Sequence, residues 1–269
     1  MITLIANAKI NLFLDIAGKR SDGYHDLETV MQSVDLADIV TAELADNISV
    51  ECSDPTVPQN AGNICHKAAE VFYTLLARSG GAKIFIEKRI PHGAGLGGGS
   101  ADAAAVLTAL NVLNGKPFDE KTLLKLGAKT GADVPFCMTG GQKLCGGIGN
   151  VMENTAEYGS SDYLIVKPPF SCPTGAAYAM YDIAPVPRRK RNGEVYNVFR
   201  AVYNNAEING ITEKLKELGA SAAELTGSGS AVFGAFDGEK SAINAAKAFP
   251  NCFTAVCKPA SKGVVLIDG

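Results

Sequence analysis

No stretch of this 269-residue chain approaches the ~18 consecutive apolar residues of a membrane-spanning helix. The residues after Met1 lack a basic segment followed by a long apolar core, so no secretory signal is expected. The seven cysteines (Cys52, Cys65, Cys137, Cys145, Cys172, Cys252, Cys257) include no C-x-x-C pair, and no Cys/His array has zinc spacing. An odd, scattered set of this kind reads as reduced, mostly buried thiols of a cytoplasmic protein. A basic surplus is missing too. The 25 Lys and Arg residues face 28 Asp and Glu, a net charge of −3, which argues against a general nucleic-acid binder. Disorder is excluded by composition, with 46% hydrophobic and 20% charged residues. No internal repeat or low-complexity tract stands out.

The apolar periodicity predicts strands at 9–16, 29–33, 39–44 and 48–52, with a turn-rich loop at 18–26. A helix opens at Asn63 and runs to about residue 79, where Gly80-Gly81 ends it. A strand at 83–88, helices at 101–113 and 118–130, and a linker at 131–135 leading into a short buried segment complete the first half. The second half has strands at 163–167, 222–225, 231–236 and 252–256. Helices lie near 174–181, up to about 218, and at 240–249, and a basic loop lies at 187–191. Strands and helices mix without strict alternation, so the expected class is α+β in two lobes, 1–150 and 151–269.

Residues 91–100 read Pro-His-Gly-Ala-Gly-Leu-Gly-Gly-Gly-Ser, between a strand and a helix. Glycines let backbone N–H groups converge, because no Cβ blocks the left-handed conformation. A helix N-terminus adds unpaired donors and about half a positive charge. Together they suit a di- or triphosphate, and Ser100 is the expected N-cap. The loop is not a Walker A motif, since no Lys-Ser or Lys-Thr closes it. Gly93, Gly95 and Gly98 satisfy G-x-G-x-x-G, but the acidic residue of a dinucleotide fold has no place about 20 residues on. Protein-kinase H-R-D and D-F-G triplets are absent.

With its following alanines, this loop resembles the second motif of the GHMP kinases, a family of small-molecule kinases. Ala8-Lys9-Ile10-Asn11-Leu12 is similar to the first motif, and residues 225–231, Leu-Thr-Gly-Ser-Gly-Ser-Ala, to the third. The three occur in family order across nearly the whole chain. The resemblance implies a ribosomal-protein-S5-like N-terminal lobe and a ferredoxin-like α/β C-terminal lobe. Residues 9–14, 20–25 (Arg-Ser-Asp-Gly-Tyr-His) and 131–136 (Gly-Ala-Asp-Val-Pro-Phe) are similar to one branch of the family. That branch uses ATP to phosphorylate the 2-hydroxyl of a polyol carrying a cytidine diphosphate, in the non-mevalonate route to isoprenoids. A GHMP kinase for another alcohol, or a non-catalytic nucleotide sensor of the same fold, are the alternatives.

Read alone, Asp133 is an ordinary turn residue and Lys9 a strand lysine. The resemblance makes Asp133 the base that takes the hydroxyl proton, with Lys9 as its cationic partner. It implies that Pro91, Gly93, Ala94, Gly95, Leu96, Gly97, Gly98, Gly99, Ser100 and Ala101 hold ATP, with Ser100 near Mg²⁺. Asn63 and Lys88 are implied adenosine contacts. Asp102 is expected to point outward, at most in the outer shell of Mg²⁺. Tyr24 and Tyr178 would sandwich the cytosine, with His25 at its edge. Asn11 and Thr174 would meet the diphosphate or polyol, and Gly227, Ser228 and Gly229 the transferring phosphate or the substrate. The family often has Val-Ser-Thr where this chain has Cys172-Pro173-Thr174, so the start of the Tyr178 helix is where a departure is expected. The loop at 187–191 is expected to be solvated. A monomer or weak homodimer without nucleic-acid or membrane partners completes the expectation.

Overall fold

The computed structural model describes residues 1–147, 149 and 151–268. The first half forms β1 (Ile2–Lys19), β2 (His25–Ala45), β3 (Ser49–Cys52), α1 (Ile64–Leu76), β4 (Gly81–Glu87), α2 (Gly98–Leu113), α3 (Glu120–Thr130), α4 (Val134–Thr139) and β5 (Gln142–Gly147). The second forms β6 (Val151–Asn154), β7 (Asp162–Lys167), α5 (Thr174–Ile183), β8 (Tyr196–Asn197), α6 (Val198–Tyr203), α7 (Ala206–Glu217), β9 (Ala222–Leu225), β10 (Val232–Phe236), α8 (Glu239–Ala246), β11 (Phe253–Cys257) and β12 (Val264–Asp268).

Two sheets define two lobes. The larger runs β12-β1-β2-β4-β3, with β5 added to β2, β6 to β5 and β8 to β1. The smaller is antiparallel, β11-β7-β10-β9, with α7 and α8 packed on it. This is the α+β, two-lobed class expected from the sequence. The division expected at Asn150 lies outside the described residues. On either side of it β5 and β6 pair with each other, and β12 returns from the second half to pair with β1.

The separate strands expected at 9–16, 29–33 and 39–44 are instead one long ribbon of β1 and β2. Asp35 reads as a break in the sequence. In the fold the pairing jumps from Asn7 opposite Ala37 to Ala8 opposite Val34, and the displaced residues are held from outside. The Asp35 N–H donates to the Lys258 carbonyl at 3.0 Å, and the Lys258 N–H donates to Asp35 Oδ1 at 2.7 Å. A bulge of this kind twists a strand without ending it.

Asn63 caps α1 as expected, its Oδ1 accepting from Cys65 N at 2.8 Å. The helix stops earlier than expected, at Ala77 in the left-handed region (φ 53°). Helix α2 lies against α1, β1 and β2, and Ala101, Ala103, Ala104, Ala105 and Ala109 have no exposed surface. Small side chains all round let it sit between sheet and helices. Elements too short to show periodicity, β5, β6 and β8, were not expected. Nor was β12, although its Val-Val-Leu-Ile-Asp run is strand-like. The short buried segment expected after the linker is α4, and the helix expected to end near 218 is broken at Asn204 (φ 41°) into α6 and α7. All seven cysteines are free thiols. Among the described residues, no helix is long and apolar enough to cross a membrane.

Candidate active site

One cleft of about 800 Å³ opens between the lobes, within the range of small-ligand sites. Its floor is built by β1. Lys9 is buried there, and its Nζ lies 2.7 Å from Asn11 Oδ1 and 3.6 Å from Asp133 Oδ2. Asp133 immediately precedes α4 but makes no side-chain cap bond, so its carboxylate faces the cleft uncommitted. The resulting pair is a carboxylate acceptor beside a buried ammonium.

The glycine loop forms one wall. Gly93, Gly95 and Gly97 have positive φ (66°, 79° and 70°), and α2 begins at Gly98 with Gly97 as N-cap. Ser100 is therefore in the first turn, not at the cap. Gly97 holds that position because the Lys9 stem passes where a side chain would be: a Cβ would lie 2.9 Å from Lys9 Cγ. No side chain caps α2, so its first N–H groups point into the cleft as an anion site. Ala101 does not belong to that set, because its N–H donates to Gly97 O at 2.9 Å and its side chain is buried.

The third glycine motif lies directly against this loop. Ala231 N donates to Ala94 O at 3.1 Å, and a Cβ on Gly95 would meet Thr226 O at 2.2 Å. Asn11 Oδ1 accepts from Gly227 N at 2.9 Å, and its Nδ2 donates to Thr29 Oγ1 at 2.9 Å. Asn11 thus ties Lys9 to the third motif and has little left to offer a ligand. Gly227 and Ser228 line the cleft. Gly229 is not among its lining residues; its N–H closes the turn onto Thr226 O at 2.9 Å.

Two sequence expectations for the nucleotide side are corrected. Asn63 is spent on the fold: its Oδ1 caps α1, and its Nδ2 donates to Pro58 O at 2.6 Å. Asp102 does not point outward. It is buried, and Lys88 Nζ sits between Asp102 Oδ2 (2.7 Å) and Asp38 Oδ2 (2.5 Å). Lys88 reaches the cleft wall, but its ammonium serves these two carboxylates. Burial alone would lower the Lys88 pKa, yet Asp102 and Asp38 outweigh it and the group is held well above its ordinary value. Burial pushes the Asp102 carboxyl up to about 8 against the pull of Lys88, with Asp38 adding to the rise.

That shift has a measurable sign. Folded Asp102 holds a proton that the unfolded chain releases near its ordinary value of 3.8, so its contribution to stability falls as pH rises towards about 8. Asp102→Asn removes this titration. The variant is expected to gain about 3–4 kcal/mol on wild type between pH 5 and pH 8, read from urea midpoints. A difference that stays constant across that window would mean that Asp102 is ionised throughout.

The opposite wall is aromatic. Tyr24 stands exposed at the tip of the turn closed by Arg20 N and Tyr24 O at 2.8 Å. His25 begins β2 and stacks on Tyr178 of α5, ring centroids 4.9 Å apart and planes at 25°. Phe199 meets Tyr178 edge-on. His25 Nε2 lies 2.8 Å from Asp182 Oδ1, and Lys19 Nζ lies 2.6 Å from Asp182 Oδ2. Lys19 and His25 hold the Asp182 carboxyl below its ordinary value. Asp182 was missed in the sequence, although it sits four residues after Tyr178, on the same face of α5. Thr174 Oγ1 and Ser228 Oγ share a hydrogen bond at 2.9 Å, which ties the start of α5 to the third glycine motif. Pro173 takes the N-cap position of α5, its carbonyl accepting from Ala176 and Ala177, so Tyr178 still reaches the cleft.

The cleft brings three sequence motifs from distant parts of the chain to one point. Residues 63–141 match the GHMP kinases N terminal domain, and residues 191–255 the GHMP kinases C terminal region. The chain is a GHMP kinase. Among curated relatives, this GHMP kinase is 38% identical over 267 residues to a 4-diphosphocytidyl-2-C-methyl-D-erythritol kinase of Syntrophomonas wolfei, covering 92% of this chain and 94% of the relative. An enzyme of the same name from Clostridium botulinum is 39% identical over 251 residues, covering 86% and 90%. A crystal structure of 4-(cytidine 5'-diphospho)-2C-methyl-D-erythritol kinase superposes with a TM-score of 0.80 at 29% identity, over 96% of this GHMP kinase and all of that chain. A homoserine kinase from Cytophaga hutchinsonii shares the fold at 19% identity, with a TM-score of 0.75 over 99% and 97% of the two chains.

Proposed function

We propose that this chain phosphorylates the 2-hydroxyl of 4-diphosphocytidyl-2-C-methyl-D-erythritol with ATP, a step of non-mevalonate isoprenoid precursor synthesis. One observation carries the reading: a buried ammonium and an uncommitted carboxylate, 3.6 Å apart, lie between a phosphate-binding helix mouth and an aromatic wall. The curated relatives of that name cover nearly the whole chain.

The roles follow from placement. The first N–H groups of α2 and the loop at Gly93–Gly97 hold the nucleotide phosphates. Asp133 accepts the proton of the attacking hydroxyl as its oxygen bonds to the terminal phosphorus of ATP, and the bond from that phosphorus to the bridging oxygen of ADP breaks. Lys9 neutralises charge on the moving phosphoryl group. Among the described residues, no cluster of three or more His, Cys, Asp or Glu could cage a metal. The Ser100 hydroxyl, in the first turn of α2 on the cleft wall, is a hard oxygen donor of the kind Mg²⁺ takes, an ion that keeps waters and substrate phosphates as most of its ligands. Ser100 would hold it, and it would neutralise phosphate charge.

Tyr24 and the His25–Tyr178 stack receive the cytosine. With Nε2 held by Asp182, Nδ1 is the ring atom left to His25 for the base edge. Tyr24→Ala is expected to raise the KM for the cytidyl substrate by about ten- to a hundredfold, the value of one base stack, with the KM for ATP within about twofold. Equal changes in both would mean that Tyr24 does not stack the base.

ADP release with the cytidyl substrate present and absent tests the whole reading. Turnover only in its presence supports it. Phosphorylation of mevalonate or homoserine, with none of the cytidyl substrate, overturns it. Nucleotide binding without any turnover would favour a sensor, a role against which the presence of both Lys9 and Asp133 argues.

A further inference from the structure

A second cleft of about 450 Å³ lies on the far side of the third glycine motif. Its wall carries Arg189, Arg200 and Lys216, together with Glu213 and Glu224. The basic segment at 187–191 is solvated as expected, with residues 187–190 exposed, and it is also tied down by ion pairs. Arg188 and Arg191 pair with Glu28, Arg191 pairs also with Glu157, and Arg189 N donates to Asp15 Oδ2 at 2.7 Å. This leaves the Arg189 guanidinium over the Tyr196 ring, 4.7 Å from its centroid, with no carboxylate partner among the described residues.

The charges do not cancel. Arg200 meets Glu224 through Nε at 2.7 Å and pairs with no second carboxylate among the described residues. Lys216 is likewise free of salt bridges there. Burial pushes the Glu224 carboxyl up to about 7, so the buried acid of the wall contributes less than a full negative charge. The Tyr196 ring lines this cleft beneath Arg189. Planar guanidinium groups and an ammonium on one wall match the oxygens of a tetrahedral dianion.

We propose that this second cleft binds a phosphomonoester or free phosphate dianion through Arg189, Arg200 and Lys216. Glu213, at the mouth, faces the rest of such a ligand as an acceptor for its hydroxyls. The cleft shares a wall with the first one. Asn197 lines it, and Asn197 Nδ2 donates to Leu225 O at 2.9 Å and Gly227 O at 2.8 Å. Occupancy is therefore read at Gly227, on the floor of the active cleft.

Calorimetric titration of glycerol 3-phosphate and of inorganic phosphate, with the active cleft saturated by ADP and Mg²⁺, tests this. One equivalent is expected to bind wild type. Arg189→Ala/Lys216→Ala is expected to weaken binding by about tenfold or more, with basal turnover unchanged. Lys216 is exposed, so Lys216→Ala alone leaves the fold intact and is expected to weaken binding in the same direction. Equal affinity for both probes supports recognition of the phosphoryl group alone, with free phosphate as its source; tighter binding of the ester supports recognition of its carbon skeleton. No binding at about 10 mM, or equal binding by wild type and both variants, overturns the proposal.

Discussion

Asp133→Asn is expected to lower kcat by about a thousandfold while nucleotide affinity stays within about twofold. The substitution keeps the shape of the side chain and removes its capacity to take a proton. Asp133 makes no cap bond to α4, so little of the fold depends on its charge. The phosphate-binding groups belong to a different element, the loop and first turn of α2, so nucleotide binding has no reason to follow. The one partner lost is Lys9, 3.6 Å away, which keeps Asn11 Oδ1 at 2.7 Å. Single-turnover rates and calorimetric nucleotide binding separate the two effects. A rate within tenfold of wild type would remove Asp133 from the proton-transfer role.

The second large effect is on stability. Lys88→Met is expected to cost about 3–5 kcal/mol, because it leaves the buried Asp38 carboxylate and Asp102 without the cation they share. Asp38 cannot move away to water. It accepts from Arg89 N at 2.6 Å and Ile90 N at 2.8 Å, bonds that shape the chain leading into the glycine loop. Asp102 Oδ1 has no partner even with lysine present, so it is the side of the trio already closest to holding a proton. Adding Asp102→Asn to Lys88→Met should therefore recover about 1–2 kcal/mol, a non-additivity expected of groups in one network. Urea unfolding of the single and double variants measures both. A loss below about 1 kcal/mol for Lys88→Met would mean that water reaches the trio.

What could be read in the sequence, and what could not, divides along physical lines. Glycine has few reasons to cluster, so residues 93–99 announced a phosphate loop, and the small residues after it announced a helix packed tightly on all sides. The family pattern then pointed to Lys9 and Asp133, which the fold brings within 3.6 Å across more than a hundred residues of chain. Pairings between distant polar residues left no such trace. Asp38, Lys88 and Asp102 form a single charge cluster, yet nothing in local pattern links them. Asp102 was expected outside because a carboxylate near phosphate is unfavourable; a lysine arriving just after β4 reverses that by giving it a buried partner. The residues expected on ATP that turned inward, Asn63 and Ala101, are ones whose polar groups the helices themselves consume.

The pairing of Thr3 with Asp268 sets a condition on how the protein is made. The first strand leaves the ribosome long before its neighbour exists. At about 5–20 residues per second, the outer edge of Ile2–Ala6 waits roughly 15–50 seconds for Val264 and its companions to emerge. During that interval it presents an open, apolar hydrogen-bonding edge to every other nascent chain nearby. Translation speed and chaperone supply, more than the strength of the finished sheet, should then set how much of this protein survives its own synthesis.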